Sequence, residues 1–183
     1  MSLGMRRGSV YLEEYSSEWK EIAKKTINDL WDILGDIVFK IEHIGSTSIE
    51  SLKAKPIIDI VVVVKKLEYI RQFDEKLNQK GIIFRGSDVD NQLLYVMGNF
   101  ENDTRTHHIH VVEEGDIAFD NYINFRDYLN DNIDKAIEYQ KLKEILSEKY
   151  YNNRTEYTKG KQKFIDEILL EAKTWRNKVG DTI

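Results

Sequence analysis

The sequence contains no cysteine, which removes disulfides and thiolate metal ligands together and leaves nothing that asks for an oxidising compartment. A cytoplasmic location is therefore the expectation. No apolar run approaches the roughly 18 residues of a membrane span, and the N-terminus lacks the apolar core of a signal peptide, so no membrane association is expected. A basic excess is also missing: the formal net charge is −5, which argues against general binding to nucleic-acid backbones, although a local basic site stays open. The chain does have 183 residues with 41% hydrophobic content, enough for one domain with a true core.

Ser16 or Ser17 caps an expected first helix, in which Trp19, Ile22, Ala23, Ile27, Leu30 and Leu34 recur at the spacing of one buried face and Gly35 is the stop. Residues 36–44 then alternate as a strand, with Ile37, Phe39, Ile41 and His43 on one face and Val38, Lys40 and Glu42 on the other. Gly45 and Ser46 come directly after it. Thr47 with Glu50 three residues later has the form of a capping box, so a short helix should begin here and end at Pro56. Glycine allows close approach of backbone to ligand, and the first turn of a helix attracts an anion, so this turn is a candidate phosphate site.

Residues 57–64 are apolar and rich in β-branched side chains, the pattern of a central strand buried on both faces, yet Asp59 lies within them. A carboxylate there must be paired, protonated or bound to a metal. Lys55 is either a phosphate contact or a solvated lysine. An amphipathic helix is expected over residues 67–80, a short strand over 82–85, a turn over 86–91 and a strand over 93–97. Residues 105–112, RTHHIHVV, read as one further strand; period two sets His108 and His110 on one face and Arg105 and His107 on the other. Two imidazoles so spaced suit one divalent metal, particularly beside a carboxylate.

From residue 117 the pattern is helical. Tyr122, Phe125 and Leu129 mark a first helix, Ile137, Leu142, Ile145 and Leu146 a second, and residues 157–175 a third, with Asn152 and Asn153 as the break before it. Lys159, Lys161 and Lys163 cluster near the start of the third. They are either a solvated face or cations placed to neutralise a polyphosphate tail.

EHIGSTSIESLKAKPIIDIVV resembles the signature of the GrpB family, proteins assigned to the nucleotidyltransferase superfamily typified by DNA polymerase beta. EEYSSEWKEI resembles that family's N-terminal Tyr-Asp-Pro-x-Trp segment, RTHHIHVV its His-x-His strand, and FRDYLNDN and YTKGKQKFI its C-terminal helices. The resemblance implies an α+β fold: a nucleotidyltransferase-like core of mixed β-sheet flanked by helices, about residues 10–115, with a helical part over about 116–178 packed on it in a single domain. It implies that Gly45 and Ser46 hold a nucleotide triphosphate; Thr47 and Lys55 beside that turn, and Lys159 and Lys161 if they lie over its mouth, are the further residues expected to contact it or another phosphorylated small molecule. It also implies an acidic pair for two divalent metals. Here Asp59 matches the first acid, but Val61 stands at the second. His108 and His110, completed by Glu42 or His43, would suit Mn²⁺ or Zn²⁺ better than Mg²⁺, and one histidine could serve instead as a general base. Fusions of family members to dephospho-coenzyme A kinase imply a link to coenzyme A metabolism. The resemblance leaves three activities open: transfer of a nucleotidyl group to an acceptor, binding of a nucleotide without catalysis, or metal-dependent hydrolysis of a phosphoester.

Overall fold

In the computed structural model the described residues are 3–87 and 89–180, with the backbone alone for 179 and 180. The elements run β1 (Met5–Arg6), α1 (Glu18–Leu34), β2 (Val38–Ile44), β3 (Ile58–Val64), α2 (Leu67–Ile70), α3 (Asp74–Gln79), β4 (Ile83–Phe84), β5 (Leu93–Met97), β6 (Thr104–Arg105), β7 (His107–Glu113), α4 (Ile117–Asp131), α5 (Ile133–Lys149) and α6 (Arg154–Gly180). Five strands form one sheet in the order β2-β3-β7-β5-β4, in which β3 and β7 are parallel and the other neighbours antiparallel. The fold is α+β. Strands β1 and β6 pair separately.

Strand β3 lies inside the sheet, and its apolar run is explained by helices on both sides. Ile58, Ile60, Val62 and Val64 pack with Trp19, Leu30 and Leu34 of α1, while Val61 and Val63 meet Ala118, Phe119 and Tyr122 of α4. Each such buried side chain contributes about 1.5–3 kcal/mol relative to exposure, so this strand anchors whatever its one polar residue does. A third cluster joins Ile49 and Leu52 to Tyr128, Leu129, Tyr139 and Ile168, and thereby fastens the C-terminal helices to the segment after the glycine turn.

Several local expectations are corrected. A register shift between Val38 and Lys40 puts Val38 in the α1-side core with Ile41, breaking the simple alternation of that strand. The helix over residues 67–80 is two short helices joined by a 3-10 turn at Arg71–Phe73. Residues 105–112 are divided into β6 and β7. The turn over 86–91 includes residue 88, which lies outside the described residues. Helix α6 starts at Arg154 because the Asn153 side chain accepts a hydrogen bond from the Glu156 N–H at 3.2 Å, the bond of an N-cap. In α5 the buried face is Ala136, Tyr139, Lys143 and Leu146, whereas Ile137 and Ile145 are exposed.

His107, on the α1 face, is 5% exposed, with its ring nitrogens 3.2 Å from Thr26 Oγ1 and 2.9 Å from Thr106 Oγ1. Burial pushes its pKa down to about 4, against opposition from Asp59 and with help from His108. Between the unfolded value of about 6.5 and 4 the unfolded chain binds more protons, so stability is complete above that window and falls as pH drops through it. The expected loss is roughly 3 kcal/mol across the window. Urea midpoints between pH 7 and 4 should show it, and His107→Gln should flatten the slope; an unchanged slope would remove His107 as its cause.

Candidate functional site

The site is built where β3 and β7 begin. Parallel register sets Asp59 beside His108 and Val61 beside His110, and the antiparallel register of β2 sets Ile44 against Asp59. Asp59, His108 and His110 therefore share the sheet face toward α4. His108 Nδ1 lies 3.0 Å from Asp59 Oδ1, and His108 Nε2 lies 3.2 Å from a guanidinium nitrogen of Arg154. Since a guanidinium only donates, Nε2 accepts and Nδ1 carries the proton that it donates to Asp59. Burial pushes the Asp59 carboxyl up, but the hydrogen bond from His108 and the favourable electrostatics of His108, His110 and Lys55 hold it well below the usual carboxylate range.

Gly45 closes over this carboxylate. Its φ of 71° and ψ of −172° belong to a region that only glycine enters readily, and a Cβ there would stand 2.6 Å from Asp59 Oδ2. The glycine is thus required by the acid. The chain leaves Gly45 in a three-residue 3-10 turn, Ser46–Ser48, without a side-chain cap, so the expected short helix and its capping box are not formed. The Thr47 hydroxyl instead lies 2.9 Å from His43 Nε2, and Glu50 pairs with Lys20.

A chamber of about 380 Å³ opens above the carboxylate, and four cations line it: Lys55, Lys143, Arg154 and Lys161. Gly45, Ser46, Thr47, Asp59, His108 and His110 complete the wall nearest the sheet, and among the described residues Asp59 is the chamber's one carboxylate. The ammonium groups of Lys55 and Lys161 lie over the Tyr157 ring, 5.3 and 4.8 Å from its centroid. Lys143, 1% exposed, donates to the Lys53 carbonyl and lies 4.7 Å from the Tyr139 centroid. Desolvation, then Lys161 and Arg154, push the Lys55 pKa down to about 7, with Asp59 opposing. Desolvation, Lys161 and Lys55 likewise drive Lys143 well below its ordinary value. These cations repel one another, and an anion entering the chamber would relieve that repulsion.

Not every expected residue is brought here. Lys159 pairs with Glu156 at 3.0 Å and is 70% exposed, and Lys163 is 90% exposed beside Glu167. Only Lys161 of the three shares the helix face of Arg154, Tyr157 and Thr158 that lines the chamber. Glu42 binds Arg126 at 2.9 Å, and His43, in register with Ile60, is on the α1 side of the sheet; both line a shallow groove with Lys20 and Arg126. Burial lowers the His43 pKa to about 4, against Asp59 and with Arg126, His107 and Lys20 adding to the effect.

The donors as arranged do not fit a divalent ion caged by the protein. Val61 occupies the second acidic position in the core, Asp59 is engaged by His108, and Arg154 stands at the other nitrogen of that ring. Among the described residues no group of three or more His, Asp or Glu side chains has the spacing to hold one.

Arg154 and Lys143 are the site residues that sequence reading missed. Arg154 comes directly after the Asn153 cap, so reading that cap would have placed it at the helix start. Lys143 sits in phase with Ala136, Tyr139 and Leu146 on the buried face of α5, and a lysine at an apolar position was the available signal.

Sheet, helices and chamber define an α+β protein with a cationic pocket at the end of a mixed sheet. The chain belongs to the GrpB family, whose model, described as GrpB protein, matches residues 9–171. It is similar to the glutamate-rich protein GrpB of Alkalihalophilus pseudofirmus, 40% identical over 172 residues that make up 92% of this chain and 99% of that one. YqkA of Bacillus subtilis is 33% identical over 163 residues, 88% of this chain and 47% of that longer protein. The crystal structure of conserved protein GrpB from Enterococcus faecalis superposes with a TM-score of 0.82 and 31% identity, over 90% of this chain and 99% of that one. No helix among the described residues is long and apolar enough to cross a membrane.

Proposed function

We propose that the chain binds a nucleoside triphosphate or similarly phosphorylated small molecule, with its phosphates in the cationic chamber against Gly45 and Ser46. The observation that carries this reading is the convergence of Lys55, Lys143, Arg154 and Lys161 on a space with one carboxylate. Lysines buried together at depressed pKa are costly unless an anion joins them. The family's resemblance to nucleotidyltransferases supports the same ligand class, while side-chain cations take the charge-neutralising place that a second acid and its metal would otherwise fill. Binding is accordingly expected to persist in the presence of a chelator.

The test is calorimetric titration with ATP in EDTA-containing buffer. Lys55 has a pKa of about 7 without ligand, and a nearby phosphate raises it, so binding at pH 8 takes up a proton. Above pH 7 affinity then falls as pH rises, by up to about tenfold per unit for one coupled proton, until the bound-state pKa is reached. Titrations at pH 8 in buffers of different ionisation enthalpy should register that uptake. Absence of binding by any triphosphate would end this reading; binding with no proton uptake would take Lys55 out of it.

A second reading is favoured by the Asp59–His108 pair, which opens into the same chamber. In nucleotidyl transfer an acceptor hydroxyl oxygen bonds to the α-phosphorus, the bond from that phosphorus to the bridging oxygen breaks, and pyrophosphate leaves. Phosphate would draw Arg154 from His108 Nε2, and that nitrogen would then take the hydroxyl proton, with Asp59 holding the ring. Pyrophosphate release in the presence of candidate acceptors, abolished in Asp59→Asn without loss of fold, would support transfer. Tight binding with no release would leave a binding module.

A further inference from the structure

A second chamber, of about 390 Å³, adjoins the first and shares Gly45, Ser46, Asp59, Tyr122, Lys161 and Gln162 with it. Its two charged groups, Asp59 and Lys161, both lie in that common wall. Beyond them the lining is neutral, formed by Phe125, Tyr139, Ile165 and Leu169 with the side-chain amides of Gln92 and Asn121. Tyr122 is the partition: its ring centroid lies 5.5 Å from that of His110, and its hydroxyl donates to Gln92 Oε1 at 2.9 Å. The far wall is braced by Tyr139, which meets Phe125 edge-on at 5.4 Å and stacks on Phe164 at 5.3 Å.

We infer that the two chambers take a single ligand, with the phosphates of an organic phosphate in the first and a neutral ring-bearing group, joined to them covalently, in the second. This rests on the phosphorylated-ligand reading above and adds what the phosphate is attached to. A charged group in the second chamber would lose hydration without gaining a counter-charge. A ring would bury apolar faces against Phe125, Ile165 and Leu169, as in ligand pockets that combine an apolar wall with a few polar groups fixing orientation. Each side-chain amide offers both a donor and an acceptor, so a ring with a hydrogen-bonding edge, such as a nucleobase, matches it better than an alkyl chain does. Both chambers are lined by Gly45 and Ser46, so a short linkage such as a sugar would be enough to reach from one to the other.

The experiment compares tripolyphosphate with ATP by titration on the full chain. ATP is expected to bind at least about tenfold more tightly, the difference being the second chamber's share. Asn121→Trp, which fills that chamber, should leave tripolyphosphate affinity within about twofold and remove the ATP advantage. Leu169→Trp is an independent block from the opposite wall, and a thermal melt of each variant shows that it is folded. Equal binding of the two ligands by the wild type, or an ATP advantage that survives both blocks, would overturn the inference while the phosphate reading stands. If neither ligand binds the wild type, the phosphate reading fails first and this inference falls with it.

Discussion

Lys161→Ala is expected to weaken binding of tripolyphosphate or ATP by roughly 10- to 100-fold, the value of a hydrogen bond to a charged group in a partly desolvated site. Lys159→Ala, two residues away, should leave affinity within about twofold, because that ammonium is exposed and paired with Glu156. The contrast is a matter of helix phase. Residue 161 lies seven positions after Arg154, two turns along the same face, whereas 159 points elsewhere. A second effect separates loss of a phosphate contact from general damage: Lys161 is the first charge to depress the Lys55 pKa after desolvation itself. Its removal should raise that pKa in the free protein and move proton uptake to higher pH. Equal losses in the two alanine variants would mean that net charge, and not the chamber, attracts the ligand.

Gly45→Ala should cost stability and binding together. The backbone angles at Gly45 carry a penalty of about 1–3 kcal/mol for any other residue. The added methyl must also displace the Asp59 carboxylate, since its Cβ would sit 2.6 Å from Oδ2. Moving that carboxylate breaks the hydrogen bond from His108 Nδ1. A lower urea midpoint at unchanged slope is expected, with loss of ATP binding even where the variant remains folded. Asp59→Ala in the same chain removes the closest atom of the clash, so the double variant should recover part of the stability, a coupling between neighbours. A single variant as stable as the wild type would show that the turn does not depend on glycine.

The strands and helices were legible where periodicity was strong: α1, β3, β5 and the C-terminal helices fall close to the spans that their apolar patterns indicate. Register was not legible. The shift at Val38 comes from how β2 meets β3, and nothing in residues 36–44 alone announces it. The two histidines could be assigned to one face by period two, but it is the parallel pairing of β3 with β7 that brings Asp59 to that face, level with His108. Which lysines face inward could not be read, because Lys159, Lys161 and Lys163 are equivalent in composition and differ only in the angle that α6 presents to the sheet. Gly160 contributes to that placement, as a Cβ there would stand 2.6 Å from Leu146 of α5. Lys143 was hidden for a related reason: the isoleucines of α5 gave the stronger apolar signal, although all three, Ile133, Ile137 and Ile145, are exposed.

Whether phosphate groups bind in the cationic chamber is decided by a crystal structure of the full chain with a non-hydrolysable ATP analogue in the presence of a chelator. Phosphate oxygens are expected within hydrogen-bond distance of Ser46, Lys55, Arg154 and Lys161. Arg154 should have turned from His108 toward the ligand. Phosphates bound elsewhere on the protein, or a chamber that stays without analogue at saturating concentration, would contradict binding there.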